Sequence, residues 1–75
     1  MTNPVQFDVA LRGYDRSQVD ALVARAAAAL RSIDPALRQA VARDVRSAAF
    51  RVALRGYDRA QVDDYFAGIL AALHG

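Results

Sequence analysis

Residues 7–23 read FDVALRGYDRSQVDALV, and residues 50–66 read FRVALRGYDRAQVDDYF. The two stretches lie 43 positions apart and match at twelve of seventeen positions. This internal repeat is the main guide to the architecture, because repeated sequence predicts repeated structure. Two copies are too few for a solenoid, so we expect them to face each other about an approximate two-fold axis.

Each copy begins with the pattern of a short strand. In the first copy Phe7, Val9 and Leu11 alternate with Asp8 and Ala10, and the second copy repeats this alternation. A period of two predicts a strand with one face buried. On this pattern the leucine that ends each strand belongs to the buried face.

A glycine and a capped helix follow each strand. Gly13 and Gly56 predict a tight turn, in which a positive φ would suit glycine. Asp15 and Asp58 come next and predict helix N-caps. The glutamine three residues after each aspartate occupies the reciprocal position of a capping box.

The spacing of apolar residues predicts helices over residues 16–31, 35–48 and 59–73. Asp34 is the expected cap of the second helix, with Pro35 at its first position. The residues expected to face the core are Val19, Leu22, Val23, Ala26 and Leu30 in the first helix, Leu37, Val41, Val45 and Ala48 in the second, and Val62, Tyr65, Phe66, Ile69, Leu70 and Leu73 in the third.

These patterns predict a mainly α, pseudo-two-fold fold. We expect one small helical domain over residues 1–75, with motif copies at 7–31 and 50–74 joined by the helix at 35–48. The order is strand, helix, helix, strand, helix. Two such short strands are too small to stand alone, so they must lie on the helices or pair across a dimer.

The chain is short and contains no cysteine. Of its 75 residues, 55% are hydrophobic and 24% are charged, which is a globular balance. A domain of this size buries only about 60% of its unfolded surface, so we expect a homo-oligomer, first of all a dimer. No apolar run approaches the ~20 residues that span a bilayer, and the N-terminus lacks a signal-peptide pattern, so the expected location is cytoplasmic.

Charge and residue chemistry argue against nucleic-acid binding and catalysis. All ten cations are arginine and all eight anions are aspartate, interspersed to a net charge of +2. Such mixing is typical of solvated faces and not of a basic patch. His74 is the one histidine, and the adjacent carboxylates Asp63 and Asp64 point apart on a helix. We therefore expect no catalytic residue, no cofactor and no metal.

The repeated motif resembles the N-terminal domain of the DivIVA and GpsB family of bacterial cell-division and polar-growth proteins. The family pattern is an aromatic residue, then Arg-Gly-Tyr-Asp, then a Val-Asp dipeptide early in a helix. It reads Phe7, residues 12–15 and residues 19–20 in the first copy, and Phe50, residues 55–58 and residues 62–63 in the second.

The number of motifs differs from the family's usual arrangement. The family has one motif followed by a long parallel coiled coil, whereas this chain has two motifs and helices of roughly two heptads each. Two arrangements are open. Either the motifs fold against each other and imitate the family's dimer within one chain, or each half exchanges with another copy.

The resemblance implies membrane contact at the tips of the motifs, which correspond to Leu11-Arg12 and Leu54-Arg55. An apolar side chain beside a guanidinium can enter an anionic membrane surface. In the alternative interpretation, both leucines complete the buried strand face. The arginines then pin the turn by binding a helix-end carbonyl or an aspartate of the paired copy.

The resemblance to GpsB-like relatives also implies a partner-binding site. Tyr14 with Asp20, and Tyr57 with Asp63, would hold an Arg-containing peptide tail of a partner protein. One turn further on, alanine stands in both copies where the relatives carry an acid. In the alternative interpretation, the tyrosines pack in the two-fold interface and each aspartate pairs with the arginine four residues earlier.

The resemblance implies a non-enzymatic protein-interaction or scaffold module of the DivIVA type, acting in bacterial envelope growth or division. A peripheral position at the inner face of the cell membrane is a further expectation. The alternative function is a structural assembly subunit, in which the motif serves only packing and oligomerisation.

Overall fold

The computed structural model describes residues 6–74. It contains β1 (Val9–Tyr14), α1 (Arg16–Leu30), α2 (Pro35–Arg46), β2 (Val52–Tyr57) and α3 (Arg59–His74). The mainly α class and the order strand, helix, helix, strand, helix are as predicted. The helix ends lie within two residues of the predicted ones.

Aspartate side chains fix where α1 and α3 begin, as predicted. Asp15 Oδ1 accepts hydrogen bonds from the backbone N–H groups of Ser17 (2.9 Å) and Gln18 (3.2 Å). Asp58 Oδ2 accepts one from the N–H of Gln61 (3.0 Å). These bonds satisfy first-turn amides that have no partner within the helix, and the chain therefore turns into a helix directly after each aspartate.

β1 and β2 form a two-stranded antiparallel ribbon. Val9 lies opposite Tyr57 at one end of the pairing, and Tyr14 lies opposite Val52 at the other. The strands therefore run in opposite directions, as the two-fold relation of the copies requires.

The two motif glycines serve a close backbone contact instead of a turn. A Cβ on Gly13 would overlap the backbone of Gly56, and a Cβ on Gly56 would overlap that of Gly13. Neither glycine has a positive φ, whereas Arg12 has a φ of 60°. The predicted tight turn is wrong: both glycines lie inside strands, because the strands approach too closely there for any side chain.

The predicted buried face of the strands is also wrong. Leu11 and Leu54 are 76% and 79% exposed, and Val9 and Val52 are exposed as well. The alanine between the valine and the leucine of each strand is half-buried instead. The close approach of the strands at the glycines leaves room for small side chains on the sheltered side, and the larger ones face solvent.

The core lies between the three helices, because α2 packs against both α1 and α3. The buried apolar residues are Val19, Leu22, Val23, Ala26 and Ala29 of α1, Val41, Ala42 and Val45 of α2, and Val62, Phe66, Ile69 and Leu73 of α3. Contrary to prediction, Leu30, Leu37 and Ala48 are exposed. Each lies in a terminal turn of its helix or just beyond it, where neighbouring helices give little cover.

Arg38 of α2 joins the C-terminal ends of α1 and α3. Its guanidinium donates to the carbonyls of Ala29 (3.3 Å) and Ser32 (3.3 Å) on the α1 side. It also donates to those of Ala72 (3.0 Å) and Leu73 (3.4 Å) on the α3 side. Helix C-termini carry unpaired carbonyls and partial negative charge, so one cation serves two helix ends at once.

Candidate functional site

The two motif copies exchange backbone hydrogen bonds where the ribbon meets the helices. The N–H of Asp15 donates to the carbonyl of Arg51 (2.7 Å), and the N–H of Asp58 donates to the carbonyl of Asp8 (2.8 Å). The second bond is the first one with the two copies exchanged, because Asp58 corresponds to Asp15 and Asp8 to Arg51. The copies are therefore related by the approximate two-fold axis that the repeat predicts.

Gln18 and Gln61 also reach into the opposite copy. Gln18 Oε1 accepts from the N–H of Arg51 (2.8 Å), and Gln61 Oε1 accepts from the N–H of Asp8 (2.8 Å). The predicted reciprocal capping box is wrong, because each N-cap amide already donates to the other copy. Each glutamine instead binds the residue whose carbonyl accepts from the N-cap amide, which is Arg51 for Gln18 and Asp8 for Gln61.

Each motif tyrosine binds an aspartate of the other copy. The hydroxyl of Tyr14 donates to Asp63 (3.1 Å), and that of Tyr57 donates to Asp20 (2.8 Å). The sequence prediction named these four residues but paired each tyrosine with the aspartate of its own copy. The structure pairs them across the two-fold axis, because the strands cross before the helices begin.

Both tyrosines favour the protonated form. Burial raises the pKa of Tyr14 above its ordinary value, and the hydrogen bond to Asp63 raises it further. Burial and the hydrogen bond to Asp20 raise the pKa of Tyr57 in the same way. The tyrosines therefore remain hydrogen-bond donors at neutral pH.

Aromatic contacts repeat across the axis in the same manner. The rings of Phe7 and Tyr57 lie 5.2 Å apart, and so do those of Tyr14 and Phe50. Phe50 also stacks on Phe66 at 5.9 Å. Tilted rings at these distances are favourable pairs. The structure thus shows the packing role that the sequence suggested for the tyrosines.

The Tyr14–Asp63 pair lies in a groove of about 440 Å³ between α2 and α3, which we call the α2–α3 groove. The groove is lined by Tyr14, Asp63, Phe66 and Leu70. The remaining lining residues are Val45, Arg46, Ala48, Ala49, Phe50 and Ala67. The spacing of apolar residues predicts only a core position for Phe66, Leu70 and Val45, because a groove between two helices does not change the pattern of either helix.

The Tyr57–Asp20 pair has smaller apolar side chains after it on its helix. The positions equivalent to Phe66 and Leu70 are Val23 and Ala27, which are smaller. This pair borders a shallow hollow of about 480 Å³ lined also by Asp15, Arg16, Ser17, Ala53 and Arg55. The Tyr14–Asp63 pair borders an equivalent hollow of about 480 Å³, lined also by Ala10, Leu11, Arg12, Asp58, Arg59 and Ala60. The two tyrosine pairs thus share their hydrogen bond and this hollow, and only the Tyr14–Asp63 pair also lies in the α2–α3 groove.

The ion pairs predicted within the helices do not form. Among residues 6–74 the one ion pair joins Arg25 of α1 to Asp44 of α2. Asp20 and Asp63 instead accept the tyrosine hydroxyls of the opposite copy. The aspartates are therefore oriented by the two-fold interface and not by their own helices.

The motif tips are exposed. Leu11, Arg12, Leu54 and Arg55 all face solvent, so neither leucine completes a buried strand face. Within residues 6–74, neither tip arginine binds a helix-end carbonyl or an aspartate. Arg38 binds helix-end carbonyls instead, and nothing in the spacing of the sequence marks it for that role.

No metal-binding cluster of histidine, cysteine, aspartate and glutamate forms within the described part of the chain. The ring nitrogen Nε2 of His74 lies 3.0 Å from Nη1 of Arg46 at the surface. The longest helix of the described chain is α3, with 16 residues, and no described helix has the length and apolar character to cross a membrane.

Comparison of the chain with models of known protein families, with curated proteins and with solved structures finds no match.

Proposed function

We propose that this protein is a non-enzymatic protein-interaction module of the DivIVA type, in which two motif copies build one binding platform. The observation that carries the proposal is the Tyr14–Asp63 pair on the wall of the α2–α3 groove. The resemblance of both motif copies to that family supports a role in bacterial envelope growth or division.

The groove is suited to a peptide that carries an arginine beside apolar residues. Asp63 Oδ1 accepts the Tyr14 hydroxyl, and within residues 6–74 no group donates to Oδ2. A carboxylate oxygen that is held in place and open to solvent can accept a charge-assisted hydrogen bond from a guanidinium. Ala67 is exposed and Phe50 and Leu70 are half-buried in the lining of the groove, so these residues supply an apolar surface for the neighbouring side chains of the peptide.

Peptide binding can be tested on two equivalent aspartates. The probe is a fluorescent peptide with one arginine between leucines, and its matched control carries citrulline in place of arginine. Asp63→Asn should weaken binding about tenfold or more, because a hydrogen bond to a charged group contributes about 1.5–3 kcal/mol. Asp20→Asn, at the two-fold equivalent position, should change the affinity less than about twofold.

Fluorescence anisotropy measures these affinities, and circular dichroism checks that both variants fold. Equal affinities for the arginine and citrulline peptides, or an equal loss in both variants, would remove the groove as the binding site. The motif would then serve packing and oligomerisation alone, which is the alternative function.

The exposed tips support a second, peripheral role at an anionic membrane surface. Leu11 and Leu54 are 76% and 79% exposed, and each has an arginine beside it. Each cation near such a surface contributes about 1 kcal/mol, and two tips on one rigid body act together. This role would place the protein at the inner face of the cell membrane.

Sedimentation with vesicles that contain phosphatidylglycerol tests the membrane role. The double variant Leu11→Ser, Leu54→Ser should remain in the supernatant while the unchanged protein sediments. Vesicles of phosphatidylcholine alone are the control for charge. Equal recovery of both proteins with the anionic vesicles would remove membrane contact from the proposed function.

A further inference from the structure

The two halves of the chain, residues 6–31 and residues 50–74, bind each other through reciprocal hydrogen bonds. The hydrogen bonds of the N-cap amides, the glutamines and the tyrosines all run from one half to the other. The side chains that make them are the same in both copies. The matching half of a second chain would therefore offer the same groups in the same places.

Among residues 6–74, the hydrogen bonds of the segment 47–49 go to α2 and none goes to the second half. All three residues are exposed, and they connect α2 to the second half. The bonds of Ser47 and Ala48 to the carbonyls of Arg43 and Val45 are therefore kept when the second half moves away.

The other connection is tied on both sides, because Arg38 of α2 binds the Ser32 carbonyl and the N–H of Asp34 donates to Ser32 Oγ (3.0 Å). Pro35 also prevents α1 and α2 from merging into one helix.

We propose that two copies of this chain exchange their second halves and form a domain-swapped dimer. In this dimer β2 and α3 of each copy pack on β1, α1 and α2 of the other, with the same contacts as in the closed monomer. The Tyr14 hydroxyl of one chain then donates to Asp63 of the partner subunit. Each α2–α3 groove is thus built from two chains.

Concentration decides between the two forms. A short linker holds the halves of one chain at an effective concentration of about 1 mM. Dilute protein is therefore a closed monomer, and the swapped dimer forms when chains refold together near that concentration. The proposal rests on contacts between the halves, so it is independent of whether the groove binds a peptide.

A pair of cysteine variants tests the exchange, since the chain has no cysteine of its own. Leu11 and Arg55 are paired in the ribbon. Opposite residues of antiparallel strands have Cα atoms about 4.5–5.5 Å apart, which suits a disulfide. Leu11→Cys in one chain and Arg55→Cys in another are unfolded, mixed, refolded at about 1 mM and oxidised. Ile33→Cys replaces Arg55→Cys in the control mixture, because Ile33 is 98% exposed but lies outside the ribbon.

Mass spectrometry of the linked peptides gives the result. The 11–55 linkage between chains should exceed the 11–33 linkage of the control about tenfold, and size-exclusion chromatography with light scattering should show a dimer. Equal yields of the two linkages overturn the exchange. A single chain carrying both Leu11→Cys and Arg55→Cys should close its own disulfide in dilute solution, and failure to do so also overturns it.

A second variant tests the same exchange without cysteine. Removal of Ala48 and Ala49 shortens the connection so that the second half no longer reaches its own first half. The expected product is a dimer at every concentration, with the circular dichroism spectrum of the unchanged protein. A folded monomer overturns the proposal.

Discussion

The two motif copies make the same contacts with each other, but they border different surfaces. The Tyr14–Asp63 and Tyr57–Asp20 pairs are equivalent in geometry. Only the first lies in the α2–α3 groove. Identical residues thus build a symmetric interface, whereas the positions that differ decide which tyrosine–aspartate pair lies in a groove.

The largest effect should come from the glycines at the centre of the symmetric interface. Gly13→Ala and Gly56→Ala each place a Cβ against the backbone of the other copy. Each should lower the free energy of unfolding by about 3 kcal/mol or more, by the same amount in both copies. Urea unfolding followed by circular dichroism measures this.

Gly68→Ala is the control for the glycine variants. Gly68 lies in α3 with no atom within 4 Å of an added Cβ. Its replacement should stabilise the protein by about 0.5–1 kcal/mol, because alanine favours a helix more than glycine does. Destabilisation at only one of Gly13 and Gly56 would show that the two copies are not equivalent at the crossing.

The next effect concerns the opposite end of the helices, where a single residue serves both copies. Arg38→Ala removes the donor shared by α1 and α3 and should cost about 2 kcal/mol of unfolding free energy. Arg43→Ala, on an exposed face of α2, should cost less than about 0.5 kcal/mol. If the two variants were equally stable, the hydrogen bonds of Arg38 would contribute nothing to the free energy of unfolding.

A smaller effect tests whether the tyrosines pair across the copies. Tyr14→Phe and Tyr57→Phe should each cost about 1 kcal/mol, since each removes one hydrogen bond. A double-mutant cycle should show coupling between Tyr14→Phe and Asp63→Asn, and none between Tyr14→Phe and Asp20→Asn. Coupling of Tyr14 to Asp20 instead would show that each tyrosine binds the aspartate of its own copy.

The smallest effect is a pH dependence at the alkaline end. The pKa values of Tyr14 and Tyr57 are raised in the folded state, so the folded protein holds their protons more tightly than the unfolded chain. This stabilisation is complete below the ordinary tyrosine pKa of about 10 and is lost as the pH rises through the raised values. Thermal unfolding between neutral pH and alkaline pH measures it.

The double variant Tyr14→Phe, Tyr57→Phe serves as the reference for the pH measurement. Its melting temperature should fall less steeply at high pH, although burial also raises the pKa of Tyr65 and preserves part of the slope. Identical slopes in both proteins would mean that the pKa values of Tyr14 and Tyr57 are not raised in the folded state.

The sequence was sufficient to predict the helices, their aspartate caps and the two-fold arrangement. Helical spacing and N-cap chemistry depend on residues that are close together in the sequence, and tertiary contacts do not change them. The repeat adds that the same local structure forms twice. The period of two in the strands was correct as well, but it does not say which face is buried. Contact with the other copy decides that, and at Gly13 and Gly56 this contact admits only small residues.

The partners of the site residues could not be predicted for a related reason. Tyr14 is close in sequence to Asp20 and distant from Asp63, yet it binds the distant one. When two copies carry the same residues, sequence spacing cannot distinguish pairing within a copy from pairing between copies. The crossing of the strands makes that choice.

Arg38 shows what fusion of two copies into one chain permits. A dimer of separate identical subunits must supply each contact twice, because its axis makes every residue occur in pairs. Here one unpaired side chain sits between two equivalent carbonyls, those of Ala29 and Ala72, which lie 43 positions apart. A chain that holds both copies can thus place a single residue between two equivalent helix ends, where a symmetric dimer would have to place two.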